Sequence, residues 1–346
     1  MGPLLRLLRF EQKAPFARMS GPLLSLLDLK VYFFDGGPPV RAVDGVGFQI
    51  HPGETVALVG ESGCGKTTLA LAIGRLLPPR ARIVGGHLMF QGKDLSSMSQ
   101  EQIRRVRGRA IGYIFQDPMS SLNPVMTIGE QILESIRLHR QLPLLAERQL
   151  VIDLLRRVRI SMPEQRARQY PHQLSGGMRQ RVMIAMAIAA EPALLIADEP
   201  MTALDVTTQA EIFALLQELR KSSGMSILLI SHDLPAVVSF ADRIAVMYAG
   251  RIVELISAQQ FFQAASHPYT QALLACLPSI GKGKQTLKTI SGTVPDLRFT
   301  PPGCPFHPRC PEAIPVCRES EPELKPISTG HEASCWRREP SGEKRP

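Results

Sequence analysis

Apolar positions along this chain fall into short runs, and the spacing inside those runs changes from twofold to helical and back. Leu26 to Phe34 and Val40 to Ile50 alternate apolar residues on either side of Asp35-Gly36-Gly37-Pro38-Pro39, which predicts a strand, a turn and a strand. Thr55 to Val59 is a continuous apolar run of the kind a buried parallel strand shows, and Thr67 to Leu77 reads as a helix with Gly74 as its one weak residue. Ile83 to Phe90 and Ala110 to Gln116 predict further strands, with a charged helix over Ser97 to Arg107 between them. From Thr127 to about Arg168 the period is helical, with Ile128, Ile132 and Ile136 on one face and Leu150, Leu154, Leu155 and Val158 on another. This block, set between a strand and the next motif, is expected to form an inserted helical subdomain over about residues 125–180. A long apolar-periodic helix follows from Gln180 to Ala190, then buried strands at Ala193 to Glu199 and Ser226 to Ser231. Arg243 to Tyr248 and Arg251 to Leu255 read as a closing hairpin around Ala249-Gly250. Strands and helices in alternation predict an α/β layer built on a parallel sheet.

At 346 residues the chain has room for one large domain and a smaller appendage. The longest apolar run, Val182 to Ala190, is closed by Arg181 and Glu191 and falls well short of the ~20 residues that span a bilayer, so the chain is not expected to be a membrane channel. A formal charge of +9 would suit nucleic acid or an anionic membrane surface. The arginines are scattered, however, in small groups at Arg104/Arg105/Arg107/Arg109, Arg156/Arg157/Arg159 and Arg337/Arg338, and read as solvated helix faces. Residues 1–22 are expected to be an extension without fixed structure. Their first apolar segment is too short for a secretory signal, and Met19 is a candidate start.

The candidate chemistry begins at Gly60-Glu61-Ser62-Gly63-Cys64-Gly65-Lys66-Thr67-Thr68, which fits G-x-x-x-x-G-K-[ST]. In that pattern glycines let backbone N–H groups curl around phosphate oxygens, the lysine adds a point charge, and the hydroxyl reaches Mg²⁺. Strand, loop and helix stand in the required order, with the helix N-terminus aimed at the anion. Alone, the loop implies only that a nucleoside triphosphate binds. Downstream, the apolar strand ends in Asp198 and Glu199, which delivers two carboxylates to the sheet edge where ligands bind. Asp198 is suited to holding Mg²⁺ and Glu199 to polarising the attacking water. His232 follows the next strand at the same edge, where it could donate to a γ-phosphate or serve as a capping residue. Tyr32, Phe33 and Phe34 sit together, and one could stack on an adenine ring or simply pack within a strand.

Taken together, Gly60 to Thr68, Gln116, Leu174-Ser175-Gly176-Gly177-Met178, Leu194 to Glu199, Ala203-Leu204-Asp205 and His232 resemble the ATPase subunits of ABC transporters, over roughly Leu26 to Glu254. The resemblance implies a P-loop ABC ATPase core with an antiparallel β subdomain over residues 23–258, using ATP and Mg²⁺. It implies that Lys66 binds the β- and γ-phosphates and Thr67 the Mg²⁺. Gln116 would sense Mg²⁺ and the attacking water, while its loop, Asp117 to Pro124, faces the membrane partner. Ser175, Gly176 and Gly177 would cap the γ-phosphate of ATP held by an opposing subunit, and Asp205 would shape the contact between the two. Phe33 aligns best with the adenine-stacking aromatic. Met201 departs from the family's usual hydroxyl residue and is expected to have little effect.

The last third, residues 259–346, resembles the C-terminal extension of the oligopeptide, dipeptide and nickel importer ATPases through His267-Pro268-Tyr269-Thr270-Gln271-Ala272-Leu273 and a proline-rich tail. Eleven of the 29 prolines fall from Pro295 onward, so this region is expected to be irregular and to need something other than a large core. Cys304, Cys310, Cys317 and Cys335, spaced C-x5-C-x6-C-x17-C, lie there. Reduced thiols of a cytosolic protein argue against disulfides and suit a structural zinc or a [4Fe–4S] cluster. The lack of C-x-x-C pairs and the resemblance to cluster-bearing importer ATPases favour the cluster. His307 and His331 read as bystanders or spare ligands, and Cys64 and Cys276 as packing residues.

The resemblance implies an ATP-hydrolysing subunit that powers import of di- or oligopeptides, or of nickel or another small solute. It would sit peripherally on the cytoplasmic face of a bacterial inner membrane. Its partners would be a second ABC ATPase subunit, two transmembrane permeases and, indirectly, a periplasmic or surface solute-binding protein, with no nucleic acid. The alternative, a soluble ABC ATPase of DNA repair or translation, would usually carry a long coiled-coil insertion or two cassettes, and this chain has neither.

Overall fold

The computed structural model describes residues 21–117, 121–202, 204–277 and 289–338. The N-terminal extension with Met19, Ala203, the middle of the loop after Gln116, and the extreme C-terminus lie outside the described residues. In chain order the elements are β1 (Leu24–Phe33), β2 (Val40–Ile50), β3 (Thr55–Val59), α1 (Lys66–Ile73), β4 (Ala81–Phe90), β5 (Lys93–Asp94), α2 (Gln100–Val106) and β6 (Ile111–Ile114). There follow α3 (Ile128–Arg137), α4 (Leu144–Arg157), α5 (Gly176–Ile188), β7 (Leu194–Asp198), α6 (Val206–Ser223), β8 (Ser226–Ile230) and α7 (Leu234–Phe240). The chain continues through β9 (Arg243–Tyr248), β10 (Arg251–Ser257), α8 (Pro268–Ala275), β11 (Lys325–Ser328) and β12 (His331–Ala333).

These elements divide between two compact units. The first comprises Ile50–Thr55 and Ser97–Ile230 with residues 21–23. Its β6, β7 and β8 are parallel neighbours, with Ile111 beside Leu194 and Leu194 beside Ser226. Every residue of β7 and β8 is buried, as strands covered on both faces require. The helices α3, α4 and α5 pack on one another. α3 starts at Thr127, whose hydroxyl accepts from Glu130 N–H while the Glu130 carboxylate returns to Thr127 N–H, and it buries Ile128, Ile132 and Ile136 at helical spacing. Arg181 of α5 is buried, and it donates to the Val158 carbonyl at 3.0 Å and to Glu211 at 2.7 Å.

The second unit comprises Leu24–Gln49, Val56–Ser96 and Ser231–Pro346. One sheet, ordered β2-β1-β4-β5, includes the antiparallel β1–β4 pair, registered from Leu24 opposite Phe90 to Phe33 opposite Ala81. In the other, β3 runs parallel to β9, β9 is antiparallel to β10, and β12 and β11 extend the sheet beyond β10. The C-terminal region is largely loop, as its prolines imply, yet it adds these two strands and buries Phe306 against Tyr248 and Tyr269.

Three helix boundaries differ from those the sequence predicts, and the first is α2, which starts at Gln100, three residues after Ser97, because Ser99 caps it. α1 ends at Ile73, short of Leu77: Gly74, its C-cap, still has a helical φ of −71° and donates its N–H to the Ala70 carbonyl, and Arg75 then turns the chain out of the spiral with φ of +54°. α5 begins at Gly176, four residues before the periodicity becomes visible at Gln180, because Ser175 caps it.

Candidate functional site

In the second unit, β3 delivers the chain into the glycine loop. Gly60 and Gly65 adopt φ of +151° and +109°. A Cβ at Gly60 would lie 2.2 Å from the Met247 carbonyl oxygen, and one at Gly65 would lie 2.0 Å from that of Ala42. The loop is thus seated directly on the backbones of β2 and β9, and only glycine fits at those two points. The Cys64 carbonyl accepts from Gly250 N–H at 2.9 Å, which fastens the loop to the β9–β10 turn. Cys64 is fully buried and burial raises its thiol pKa, in keeping with a packing role. Lys66 is also buried, and its Nζ donates to the Gly60 and Glu61 carbonyls, each at 2.9 Å. Ser62, Gly63 and Thr67 are exposed at the loop and the first turn of α1, with Thr68 half-buried beside them.

The same unit carries the three neighbouring aromatics and His232. Tyr32 donates to Asp44 at 2.6 Å, and its phenol is pushed up to about 12 by burial and by that carboxylate. Phe33 is half-buried with the Arg80 guanidinium 5.7 Å from its ring centre, and Phe34 is exposed with Arg82 at 5.8 Å. Tyr32 is committed to Asp44, whereas the structure gives neither phenylalanine a hydrogen-bonding commitment. His232 is exposed in the turn that leads into α7, next to Asp233, which caps that helix by accepting from Ala236 N–H.

In the first unit, β7 ends on Asp198, which is buried and accepts from the Tyr113 hydroxyl at 3.2 Å. Glu199 turns the chain with φ of +45°, and its N–H donates to the Ile230 carbonyl at 3.0 Å. That turn carries the carboxylate to Gln116, whose Nε2 donates to Glu199 Oε2 at 3.0 Å, and Thr202 Oγ1 donates to the same oxygen at 3.0 Å. The Gln116–Glu199 pairing joins residues 83 positions apart. Met201, the departure from the family pattern, is buried beside this turn.

Ser175 caps α5, its Oγ accepting from Met178 N–H at 3.3 Å, and Ser175 and Gly176 are exposed. The N-terminal N–H groups of a thirteen-residue helix are therefore presented at the surface. Asp205 caps α6 in the same way, accepting from Thr208 N–H at 2.9 Å and from Thr208 Oγ1 at 2.7 Å. A Cβ at Gly177 would lie 2.7 Å from Thr208 Cγ2, so the starts of α5 and α6 are packed face to face through that threonine. Hydrogen bonds from Thr208 hold the Asp205 carboxyl below its usual range.

All six cysteines are free thiols, and Cys276 is half-buried. Cys304, Cys310, Cys317 and Cys335 line one small cavity together with His307 and Glu312. Burial pushes the Cys304 thiol up to about 12 and raises Cys310 and Cys335 as well, and the cysteines reinforce one another's shifts. Among the described residues, no group of three or more His, Cys, Asp or Glu is placed to hold a single metal ion. His331 is neither bystander nor spare ligand. It is buried, and its Nε2 lies 2.7 Å from Glu254 Oε1, a carboxylate with no exposed surface that also accepts from the Ser266 and His267 N–H groups. Two more residues escaped the sequence reading: Tyr269 and Arg309 both contact Glu61 of the glycine loop. Tyr269 stood inside a recognised motif, but nothing local signalled its partner.

The chain matches the family model described as ABC transporter over residues 43–202, and the model described as oligopeptide/dipeptide transporter, C-terminal region over residues 253–317. It is 49% identical over 317 residues to a probable peptide ABC transporter ATP-binding protein of Sinorhizobium fredii, covering 91% of this chain and 95% of the relative. It is 48% identical over 313 residues to the dipeptide transport ATP-binding protein DppD of Escherichia coli, covering 90% and 96%. Among solved structures, the dimeric ATP-binding cassette MJ0796 bound to ADP and Pi superposes with a TM-score of 0.61 at 28% identity, covering 68% of this chain and 98% of that one. CbiO1 of Clostridium perfringens gives the same TM-score over 70% and 91%. With a cassette model, a C-terminal model and near-complete alignment to these relatives in agreement, the chain belongs to the ATP-binding subunits of ABC transporters, within the oligopeptide/dipeptide transport group.

Proposed function

We propose that this chain is the ATP-hydrolysing subunit of a di- or oligopeptide importer, working peripherally at the cytoplasmic face of a bacterial inner membrane. The observation that carries the peptide reading is alignment to peptide-transport subunits across both the cassette and the C-terminal region. ATP is the substrate. Lys66 bears on its β- and γ-phosphates within the backbone cradle of Gly60, Glu61, Ser62, Gly63, Cys64, Gly65 and Thr68, and Phe33 stacks on the adenine. Thr67, Asp198 and Gln116 offer the hard oxygen donors that suit Mg²⁺, which when bound would neutralise phosphate charge. Glu199 takes the proton of the attacking water, and the amide of Gln116, already bonded to that carboxylate, orients the pair. His232 donates to the γ-phosphate. Ser175, Gly176 and Gly177 present the start of α5 to ATP held by a second cassette, and Asp205 shapes the contact between subunits. The dimeric state of the structural relative MJ0796 supports that arrangement. Closure around ATP then biases two permeases between conformations, because each state binds the closed ATPase pair differently.

The cysteine cavity is best suited to a [4Fe–4S] cluster held by Cys304, Cys310, Cys317 and Cys335. Four soft donors line one small cavity, the ligand set that such a cluster takes, and a structural zinc bound by the same thiolates is the alternative. The raised thiol pKa values mean that binding would expel protons. Such a group would be structural, closing loops whose core is small.

Several of the grouped arginines are paired with acids of the same chain. Arg105–Glu101, Arg159–Glu218 and Arg338–Glu312 are ion pairs, as is Arg156–Glu164, which gives no support to a nucleic-acid surface. The test is Glu199→Gln, which should still bind ATP while hydrolysis falls about 10²–10⁴-fold, the size of a lost general base. Near-normal turnover by that variant would remove Glu199 from the mechanism. Affinity purification of the chain from its native membranes should recover two permeases, and recovery with ribosomes or DNA would overturn the importer reading.

A further inference from the structure

The phosphate loop is gripped from the C-terminal region at Glu61. The Glu61 carboxylate is taken end-on by Arg309, with Nη1 donating to Oε2 at 2.8 Å and Nη2 to Oε1 at 3.0 Å. The Glu61 N–H donates to Tyr269 Oη at 2.8 Å. Neither partner is a loose surface group. The Arg309 side chain is 5% exposed, its Nε donates to the Ser291 carbonyl at 2.9 Å, and its guanidinium stands 5.8 Å from the Tyr248 ring centre and 6.0 Å from that of Phe306. Tyr269 is fully buried, with its ring centre 4.6 Å from that of Tyr248.

Both contacts bear on groups the phosphate loop needs. Glu61 places an anion inside a loop that must receive a polyanion, and a bidentate guanidinium cancels that charge where a lone carboxylate would repel phosphate. The peptide joining Gly60 to Glu61 is held on both sides: its N–H goes to Tyr269, and its carbonyl, that of Gly60, accepts from Lys66 Nζ at 2.9 Å. Turning this peptide would therefore move the phosphate-binding lysine. Tyr269 of α8 directly follows His267 and Pro268, and Arg309 ends the 3-10 turn His307–Arg309 between Cys304 and Cys310, so each partner of the clamp adjoins residues that line the cysteine cavity.

We propose that Arg309 and Tyr269 are positioning residues of the phosphate loop, so that ATP affinity depends on the docked C-terminal region. The proposal rests on the ATP-binding reading above.

The test is a titration of the full-length chain with a fluorescent ATP analogue, alongside thermal melts. Arg309→Met should weaken binding on the order of tenfold, the range of a modest coupling between sites. The double variant Glu61→Gln/Arg309→Met should recover most of that loss, because it removes the bared carboxylate as well. Raising salt should narrow the deficit of Arg309→Met by screening the repulsion. Arg309→Lys, which keeps the charge and loses the fork, and Tyr269→Phe should each weaken binding by about two- to fivefold. Arg309→Met with unchanged affinity and a lowered melting temperature would make the clamp merely structural and overturn the proposal. So would a double variant as weak as Arg309→Met, or wild-type affinity in both Arg309→Lys and Tyr269→Phe. Wild-type protein that fails to bind the analogue would instead sink the ATP-binding reading itself.

Discussion

His267 should make the C-terminal region lose stability on mild acidification, by an amount the structure sets. Its Nδ1 accepts from Tyr269 N–H at 3.1 Å, so the neutral imidazole serves as the N-cap of α8, and protonation would abolish that acceptor. Burial lowers its pKa to about 4, with Arg338 acting in the same direction and Glu254 opposing. An unfolded histidine at 6.5 binds a proton that the folded one refuses. The stabilisation is therefore complete above pH 6.5 and drains away as pH falls toward 4. At pH 5.0 the loss is the logarithm of the ratio of the two binding polynomials, about 1.5 pH units or ~2 kcal/mol relative to pH 7.5. The Glu254 carboxyl contributes little in this window. Burial pushes it up, but hydrogen bonds, that from His331 foremost, hold it below the ordinary glutamate value, so its own loss comes at lower pH. Trp336 is the chain's single tryptophan, lines the same cavity as His267, and reports locally. Urea titrations followed by its emission should show wild type losing about 2 kcal/mol more than His267→Asn between pH 7.5 and 5.0. Asparagine keeps a capping oxygen and cannot titrate, so its packing cost cancels in the difference. Equal pH dependence in the two proteins would refute the reasoning.

Gly65→Ala should abolish binding of a fluorescent ATP analogue and lower stability by about 2 kcal/mol or more, since its Cβ meets the Ala42 carbonyl and Met247 Cε at a φ of +109°. Gly63→Ala, with nothing within 4 Å of its Cβ, should cost only the backbone strain, about 1 kcal/mol, and thermal melts of the two should separate accordingly. Anaerobic purification should yield a brown protein with visible iron–sulfur absorbance and four iron atoms per chain by metal analysis, as a single [4Fe–4S] cluster requires. A colourless protein with stoichiometric zinc would replace the cluster with a zinc site.

What could be read from the sequence was what local chemistry specifies. β3, the glycine loop and α1 announce themselves because a buried strand, an anion cradle and a helix start each impose residue types over a few consecutive positions. β7 was legible for the same reason, down to the carboxylates at its end. The start of α5 was not, because Gly176 and Gly177 dilute the helical pattern while the only positive sign is a single capping serine. The end of α1 is equally silent, because Gly74 keeps a helical φ of −71° and the turn out of the spiral is made by Arg75 at φ of +54°, a residue type with no preference for that conformation.

Contacts distant in sequence left no local mark at all. Glu61 and Arg309 are 248 positions apart and Glu254 and His331 are 77 apart, and a charge destined for a buried pair is indistinguishable in sequence from one left in water. That blindness has a functional consequence here. The glycine-loop motif ends at Thr68, yet its conformation depends on Ala42 and Met247 beneath it and on Tyr269 and Arg309 beyond the cassette. A motif that matches in full therefore states which atoms can touch phosphate. How tightly this loop binds is set by residues that no phosphate-binding pattern contains, and those are the residues through which the C-terminal region can act on the nucleotide site.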